Sequence, residues 1–308
     1  MRRISPQPRV LVVSPVRNEA PHIARVVRAV ARQLAPPARW IVIDDSSTDG
    51  TWELLGELEQ ELDFLTVMRP PGGDPAAGAR DRLAQAVEAR NFNLVLAGVE
   101  LDDYTHVMKL DGDIELPPDY LSGLLERFAA DPALGLAGGM LAEPRGDGLH
   151  RIAIPSSYHV HGAVKCYTLE CLRAIGGVQE RLGWDTIDET YARMHGYATR
   201  SFPELTAIHH RPLASADGQL RGHARHGECA YIAHHDPLWV ALRALKVAGR
   251  RPFGISGGAF LYGYVRAAAR RVERVPDPAY RRFAREELRR RMLGRSAPLP
   301  SAGGGLGR

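Results

Sequence analysis

Two carboxylates one residue apart, Asp111 and Asp113, close the apolar run His106-Val107-Met108-Lys109-Leu110. Behind them comes Ile114-Glu115-Leu116-Pro117-Pro118-Asp119-Tyr120-Leu121. The pattern predicts a strand ending in two acids, a short loop, and a helix with proline in its first turn. Acids placed so can aim hard oxygen ligands at one spot above a sheet, a spot suited to a divalent cation carrying phosphates. A second acidic run, Asp44-Asp45-Ser46-Ser47-Thr48-Asp49-Gly50-Thr51, follows the apolar Trp40-Ile41-Val42-Ile43. A third polar loop, Ser14-Pro15-Val16-Arg17-Asn18-Glu19, follows Val10-Leu11-Val12-Val13.

Continuous apolar runs bounded by polar loops predict strands buried on both faces of a parallel sheet. Residues 10–13, 40–43, 64–68 and 106–110 fit that description. Between them, Ile23, Val26, Val27, Val30 and Leu34 recur at helical spacing until Pro36-Pro37, and Trp52, Leu55, Leu58, Glu59 and Leu62 recur again. A Gly/Pro loop from Pro70 to Gly73 precedes a helix expected over about 79–89. Strands alternating with helices predict an α/β fold with a mostly parallel sheet. Right-handed crossovers then bring the carboxyl ends of the strands to one edge, where open α/β sheets bind ligands. The three polar loops, distant in sequence, converge there.

At 308 residues and 44% apolar, the chain is an ordinary soluble globular protein of one large or two modest domains. Cys166, Cys171 and Cys229 are odd in number and lack metal-ligand spacing, which favours a reducing interior over a disulfide framework. The basic N-terminus has no secretory apolar core, and no run reaches the roughly eighteen apolar residues of a spanning helix. His159, His161, His223, His226, His234 and His235 match no metal-site spacing and are expected in polar loops. From residue 243 onward, sixteen Lys and Arg face four acids, so this segment holds +12 of a chain whose net charge is +4. Such asymmetry points to a tail that meets anions. No zinc-finger, aromatic-basic or helix-turn-helix signature directs it to nucleic acid.

With these motifs in order, residues 9–212 resemble a family 2 glycosyltransferase of the GT-A fold. The resemblance rests on Val12-Val13-Ser14-Pro15-Val16-Arg17-Asn18-Glu19-Ala20, the aspartate-rich loop from Ile43 to Thr51, and Leu110-Asp111-Gly112-Asp113. Gly176-Gly177, Gly183-Trp184-Asp185 and Ile208-His209-His210-Arg211 extend it. It implies a nucleoside-diphosphate sugar as donor, with Ser14 and Pro15 bordering the base and Asp45 accepting from a uracil-type imide. Asp44 is either a second donor contact or an acid that caps its own loop. Arg80 aligns with a donor-contacting arginine, or else lies on a solvated helix face.

The resemblance further implies Mg2+ or Mn2+ on Asp113, with Asp111 binding the ribose or completing the metal shell. His209 and His210 are the candidates for a histidine ligand, and adjacent strand residues face opposite ways, so only one serves. Asp185 stands eleven residues before Gly196, at the spacing of the family's general base. Asp188, one turn later, is the reserve, and an N-cap role is the alternative for Asp185.

The expected organisation is a GT-A catalytic domain over 1–215, its donor-binding half near 9–115 and its acceptor half near 116–215. A helical basic extension over 216–295 and a disordered tail over 296–308 complete the chain. Within that extension, the apolar residues 253–265 lie between Arg250-Arg251 and Arg266, Arg270-Arg271. That suits a helix in the interface of an anionic membrane, with residues 243–295 as the contact, or else a hairpin packed on the catalytic domain. The expected activity is inverting transfer of a sugar, from a UDP-sugar, to a hydroxyl of a glycan or lipid-linked glycan at the cytoplasmic membrane face. A nucleotidyltransferase would need a glycine-rich phosphate loop, which residues 14–19 lack. A catalytically silent scaffold would not need the acids at 45, 111, 113 and 185.

Overall fold

Alternate residues of β1 (Val10–Val16) serve two cores. Val10 and Val12 pack with Ile23, Val26 and Val30 of α1 (Ile23–Ala31), Leu55 of α2 (Thr51–Glu61), and Tyr120 and Leu124. Leu11 and Val13 pack in the opposite layer with Phe92 and Val95, Leu172 and Trp184. Burial on both faces is why the run carries no polar alternation.

The structure is a computed structural model that describes residues 8–73, 85–154, 156–211, 218–249 and 253–294. It divides into two compact units, residues 1–211 and 212–308. In the first unit, β1 pairs in parallel with β2 (Arg39–Asp44) and β4 (His106–Leu110), and β2 with β3 (Leu65–Met68). The remaining strands are β5 (Ile114–Glu115), β6 (Leu134–Arg145), β7 (Gly148–Arg151), β8 (Val164–Thr168) and β9 (Ala198–His209). The sheet order is β3-β2-β1-β4-β8-β6-β9-β5, with β7 hairpinned to β6. Strands β1, β2, β3, β4, β6 and β9 run one way, and β5, β7 and β8 run against them. The remaining helices of this unit are α3 (Val87–Ala97), α4 (Tyr120–Ala130), α5 (Leu169–Ala174) and α6 (Trp184–Met194).

Several local expectations change. The first helix stops at Ala31, and Leu34 is 73% exposed. The chain leaves the helix because Gln33 bridges to the next layer, donating to the Pro117 carbonyl at 2.6 Å and accepting from Leu121 N–H at 2.9 Å. Immediately after Asp113 comes the two-residue strand β5, paired with β9, and both prolines precede α4 instead of entering it. Among the described residues the helix expected over 79–89 begins at Val87 and continues to Ala97. The long strand β6 carries Gly138-Gly139, a weak strand signal, because its neighbours approach too closely for a side chain. A Cβ on Gly139 would lie 1.9 Å from the Leu205 carbonyl oxygen. Tyr120 Oη, which accepts the Gly139 N–H at 2.7 Å, closes the other side.

The second unit is helical: α7 (Gln219–Ile232), α8 (Pro237–Ala248), α9 (Ile255–Ala269) and α10 (Pro278–Met292). Asp236 and Asp277 cap α8 and α10, accepting from Leu238 and Ala279 N–H at 3.0 and 2.7 Å, with proline next in each chain segment. Helices α7 and α9 pack backbone to backbone. A Cβ on Gly263 would lie 1.8 Å from the Ala224 carbonyl, and one on Gly227 1.9 Å from that of Phe260. His223 and His226 lie on α7 and not in a loop. The tail over 296–308 lies outside the described residues.

Candidate active site

The loops after β1 and β2 are sewn together by their own polar residues. Asn18, at φ 54°, takes the Thr48 N–H on its side-chain oxygen at 2.9 Å and gives its own N–H to Ser47 Oγ at 2.8 Å. Glu19 N–H donates to Thr51 Oγ1 at 2.8 Å, and Asp49 accepts from Ala20 N–H and Thr51 N–H at 3.1 Å each. Asx-type bonding of this kind fixes a loop without sheet or helix.

Within that rim the expected donor contacts part ways. Ser14 is fully buried and accepts the Trp40 Nε1–H at 2.9 Å, so it faces the core and leaves the strand end to half-buried Pro15. Asp44 is also fully buried; Arg69 Nε donates to it at 2.9 Å and Ser47 N–H at 3.3 Å. Both its oxygens are thus engaged within the loop, the geometry of the loop-capping alternative. Asp45 is 5% exposed, held through its backbone by the Val16 carbonyl at 2.8 Å and Arg17 Nη1 at 2.7 Å. Arg80 lies outside the described residues.

Gly112 lets the acidic triplet press against β1: a Cβ there would meet Val16 Cγ1 at 2.8 Å and Glu19 Cγ at 3.0 Å. Asp113 is 6% exposed and faces His209, Nε2 to Oδ2 3.3 Å, with Arg211 Nε 3.8 Å from the same oxygen. Burial alone would raise the Asp113 carboxyl, but the hydrogen bond and charge of His209, with Arg211, hold it below the usual range. Burial likewise works against the His209 imidazolium, and Asp113 outweighs it and raises that pKa. His210 turns to the opposite face. Its Nε2 meets Glu115 Oε2 at 2.8 Å, its Nδ1 meets Arg25 Nη1 at 3.3 Å, and its ring stacks on His22. Of the two histidines, His209 is the one beside Asp113, while the His210 ring is engaged by Glu115, Arg25 and His22.

Glu19, not among the expected site residues, completes this corner, pairing with Arg211 Nη2 at 2.6 Å. Burial beside Asp113 pushes the Glu19 carboxyl up to about 8, Arg211 opposing the rise. The signal was its place in the loop after the first strand.

Among the described residues no three His, Cys, Asp or Glu side chains gather as a preformed cation cage. The donor pair Asp113–His209 nevertheless suits a small divalent cation, because a carboxylate oxygen and an imidazole nitrogen, Oδ2 and Nε2, meet at one spot. Asp111 is more open, its carboxylate bonded by Lys109 Nζ.

Asp185 and Asp188 occupy one helix with opposite surroundings. Gly183, in the left-handed region at φ 83°, is the N-cap of α6, so Asp185 lies inside the first turn and caps nothing. Its backbone carbonyl accepts from Lys165 Nζ, while its half-buried carboxylate takes no hydrogen bond from the described residues. Asp188 is 1% exposed and its carboxylate is filled by Lys165 Nζ at 3.0 Å and by the Tyr167 hydroxyl. Asp188, the reserve base of the sequence reading, is thus enclosed and fully partnered, whereas Asp185 is the more open of the two. Burial pushes the Asp188 carboxyl up to about 6 although Lys165 opposes.

The model of "Glycosyl transferase family 2" matches residues 11–168, more than half of the chain, and the chain belongs to that family. TuaG of Bacillus subtilis (strain 168), named for a glycosyltransferase role in teichuronic acid biosynthesis, is 28% identical over 167 residues, 54% of this chain. The chain spans about three fifths of TuaG, 61% of its length. The mannosyltransferase PcManGT from Pyrobaculum calidifontis, solved with GDP-Man and Mn2+, superposes with a TM-score of 0.55 at 19% identity. That match covers 90% of this chain and 83% of PcManGT. S. aureus TarS 1-349 in complex with UDP-GlcNAc gives a TM-score of 0.53 at 14% identity, covering 85% and 73% of the two chains. At such identities the likeness is one of fold, and the fold is the GT-A type. Among the described residues no helix is long and apolar enough to cross a membrane.

Proposed function

As a member of that family, this glycosyltransferase, we propose, moves a sugar from a UDP-sugar to a hydroxyl of a glycan or lipid-linked glycan, with inversion at the anomeric carbon. Asp45 accepts the uracil imide N–H beside Pro15, and Asp111 receives the ribose. Asp113 and His209 would hold Mg2+ or Mn2+, which when bound offsets charge on the departing diphosphate. Asp185 takes the proton of the acceptor hydroxyl as its oxygen bonds to the anomeric carbon, and the sugar–phosphate C–O bond breaks with its electron pair leaving on the nucleoside diphosphate. One displacement from the opposite face inverts the centre.

The observation that carries this reading is the contrast within α6: of the two acids, only the Asp185 carboxylate takes no hydrogen bond from the described residues, on a chain whose Asp113 faces His209 at 3.3 Å. Thermal unfolding with a panel of UDP- and GDP-sugars, with and without Mn2+, tests it, because a ligand bound to the native state raises the melting point. A UDP-sugar should stabilise the protein only with metal present. No stabilisation by any donor contradicts the reading.

The second unit supports a place at the cytoplasmic face of an anionic membrane. Leu238, Leu242 and Leu245 of α8 and Ile255, Tyr262 and Val265 of α9 are 48–71% exposed apolar side chains at helical spacing. Lys246, Arg270 and Arg271 lie at the ends of the same helices. Apolar faces collared by cations suit a lipid interface. The full chain should co-sediment with vesicles containing anionic lipid and not with neutral ones; equal partition contradicts docking.

A further inference from the structure

Beneath the rim, two lysines lie side by side where neither would be expected. Strands β4 and β8 are antiparallel, and their register sets Lys109 directly opposite Lys165. Residues so paired point to the same face, and like charges there repel. Both side chains are buried, Lys109 at 1% and Lys165 at 0% exposure. Burying an ammonium costs several kcal/mol before any partner is counted, and well-packed apolar residues fill such positions as well or better. Stability alone therefore gives no reason for two lysines.

Their partners give one. Lys109 Nζ reaches Glu88 at 2.7 Å, the Asp111 carboxylate, and the Gly162 carbonyl at 3.3 Å. Lys165 Nζ reaches Asp188 at 3.0 Å, Glu189 at 3.3 Å, and the backbone carbonyl of Asp185. Both ammoniums lie against the Trp184 indole, 5.3 Å and 5.4 Å from its ring centre, within cation–π range. Gly162 keeps the space open: a Cβ there would approach Asp185 Cβ to 3.3 Å and the indole to 3.5 Å. The acids outweigh burial and hold both lysines above their ordinary range, so both are charged. Lys109 thus ends on the aspartate of the donor side and Lys165 on the residue of the acceptor side.

We propose that Lys109, Trp184 and Lys165 form one buried positioning unit, Lys109 orienting the Asp111 carboxylate toward the donor and Lys165 anchoring the start of α6 so that Asp185 meets the acceptor hydroxyl. The unit fixes the donor and acceptor halves of the reaction to a common support, the β4–β8 pair. It rests on the roles given above to Asp111 and Asp185.

Steady-state kinetics and calorimetric donor titration with Mn2+ on full-length Lys109→Met and Lys165→Met test it. Lys165→Met should lower kcat at least tenfold and leave donor affinity within about twofold. Lys109→Met should weaken donor affinity at least fivefold with the smaller loss in kcat. Trp184→Leu, which removes the ring and retains both charges, should lower kcat and donor affinity together. A merely structural role would lower both parameters in proportion to the folded fraction for every variant, and that result, or wild-type values in folded variants, overturns the proposal. Should a methionine variant fail to fold, Lys109→Arg and Lys165→Arg, which keep the charge and change its reach, decide by the same split: donor affinity falls in the first and kcat in the second. Asp111→Asn and Asp185→Asn run in parallel separate the two failures. If these lose donor affinity and kcat respectively while the lysine and tryptophan variants do not, only the positioning unit is wrong. If Asp185→Asn transfers normally and Asp111→Asn binds donor normally, the underlying roles are wrong.

Discussion

The rim of the sheet and the layer beneath it hold the same kinds of side chain and treat them in opposite ways. On the rim, Asp113 shares its oxygen with a histidine and an arginine at 3.3 and 3.8 Å, and Asp185 keeps a carboxylate without hydrogen bonds from the described residues. Beneath it, Asp188 and Glu189 are saturated: Glu189 accepts the Val160 N–H at 2.8 Å and lies 3.0 Å from His159 Nδ1 and 3.3 Å from Lys165. Burial raises carboxyl groups in both regions, yet Lys165 and His159 bring Glu189 down to about 2 while Asp188 rises to about 6. Three residues along one helix separate Asp185 from Asp188, so residue type does not assign the work. Completeness of partnering does: a carboxylate with every lone pair engaged is structure, and one with lone pairs to spare can take a proton or a ligand.

The sharpest way to break this comparison is to neutralise each of the helix acids in turn. Asp185→Asn should cost about a thousandfold in kcat for transfer, the scale of a lost general base, with donor binding and stability retained. Asp188→Asn should instead show its main effect in stability, lowering it by about 3 kcal/mol in urea unfolding because it strips a buried lysine of a partner. Similar stability losses in the two variants would erase the distinction between rim and layer.

Acid sensitivity extends the comparison to the far end of β4. His106 packs against the Phe128 ring, and burial pushes its pKa down to about 4 from 6.5. Between those values the unfolded chain binds the extra proton, so stability falls as the pH drops from 6.5 towards 4 and levels off below. The full window is worth at most about 3 kcal/mol. His106→Leu should flatten that part of the pH–stability curve, measured by urea unfolding at each pH. An unchanged slope would place the titrating group elsewhere. The smallest effect is expected from His210→Gln, which should alter stability by less than about 1 kcal/mol and leave Mn2+-dependent donor affinity unchanged. Loss of that affinity would put His210 in the metal set.

Much of the rim was legible in the sequence. Apolar runs at β1, β2 and β4 are strands because both faces are covered, though β1 runs on through Ser14, Pro15 and Val16, expected as loop, because these residues pair with Val42, Ile43 and Asp44 of β2. The parity of adjacent strand residues allowed only one of His209 and His210 to face Asp113, but not which. That depended on the pairing of Ile114 with His209 across β5 and β9, a long-range register. The buried layer was illegible for a similar reason. Lys109 and Lys165 stand in apolar runs, which is a signal, but their partners Glu88, Asp188 and Glu189 come from distant helices. Strand β6 hid behind glycines whose purpose, a 1.9 Å approach of the Leu205 carbonyl to any Cβ at Gly139, exists only once β9 is beside it.

The central claim is that Asp113 belongs to the donor site and Asp185 to the transfer step. Calorimetric titration of UDP-sugar into wild-type protein, Asp113→Asn and Asp185→Asn, each with Mn2+ and with chelator, tests it most directly. The account predicts Mn2+-dependent binding in wild type and Asp185→Asn alike, and its loss in Asp113→Asn. Metal-dependent binding that survives in Asp113→Asn would contradict it.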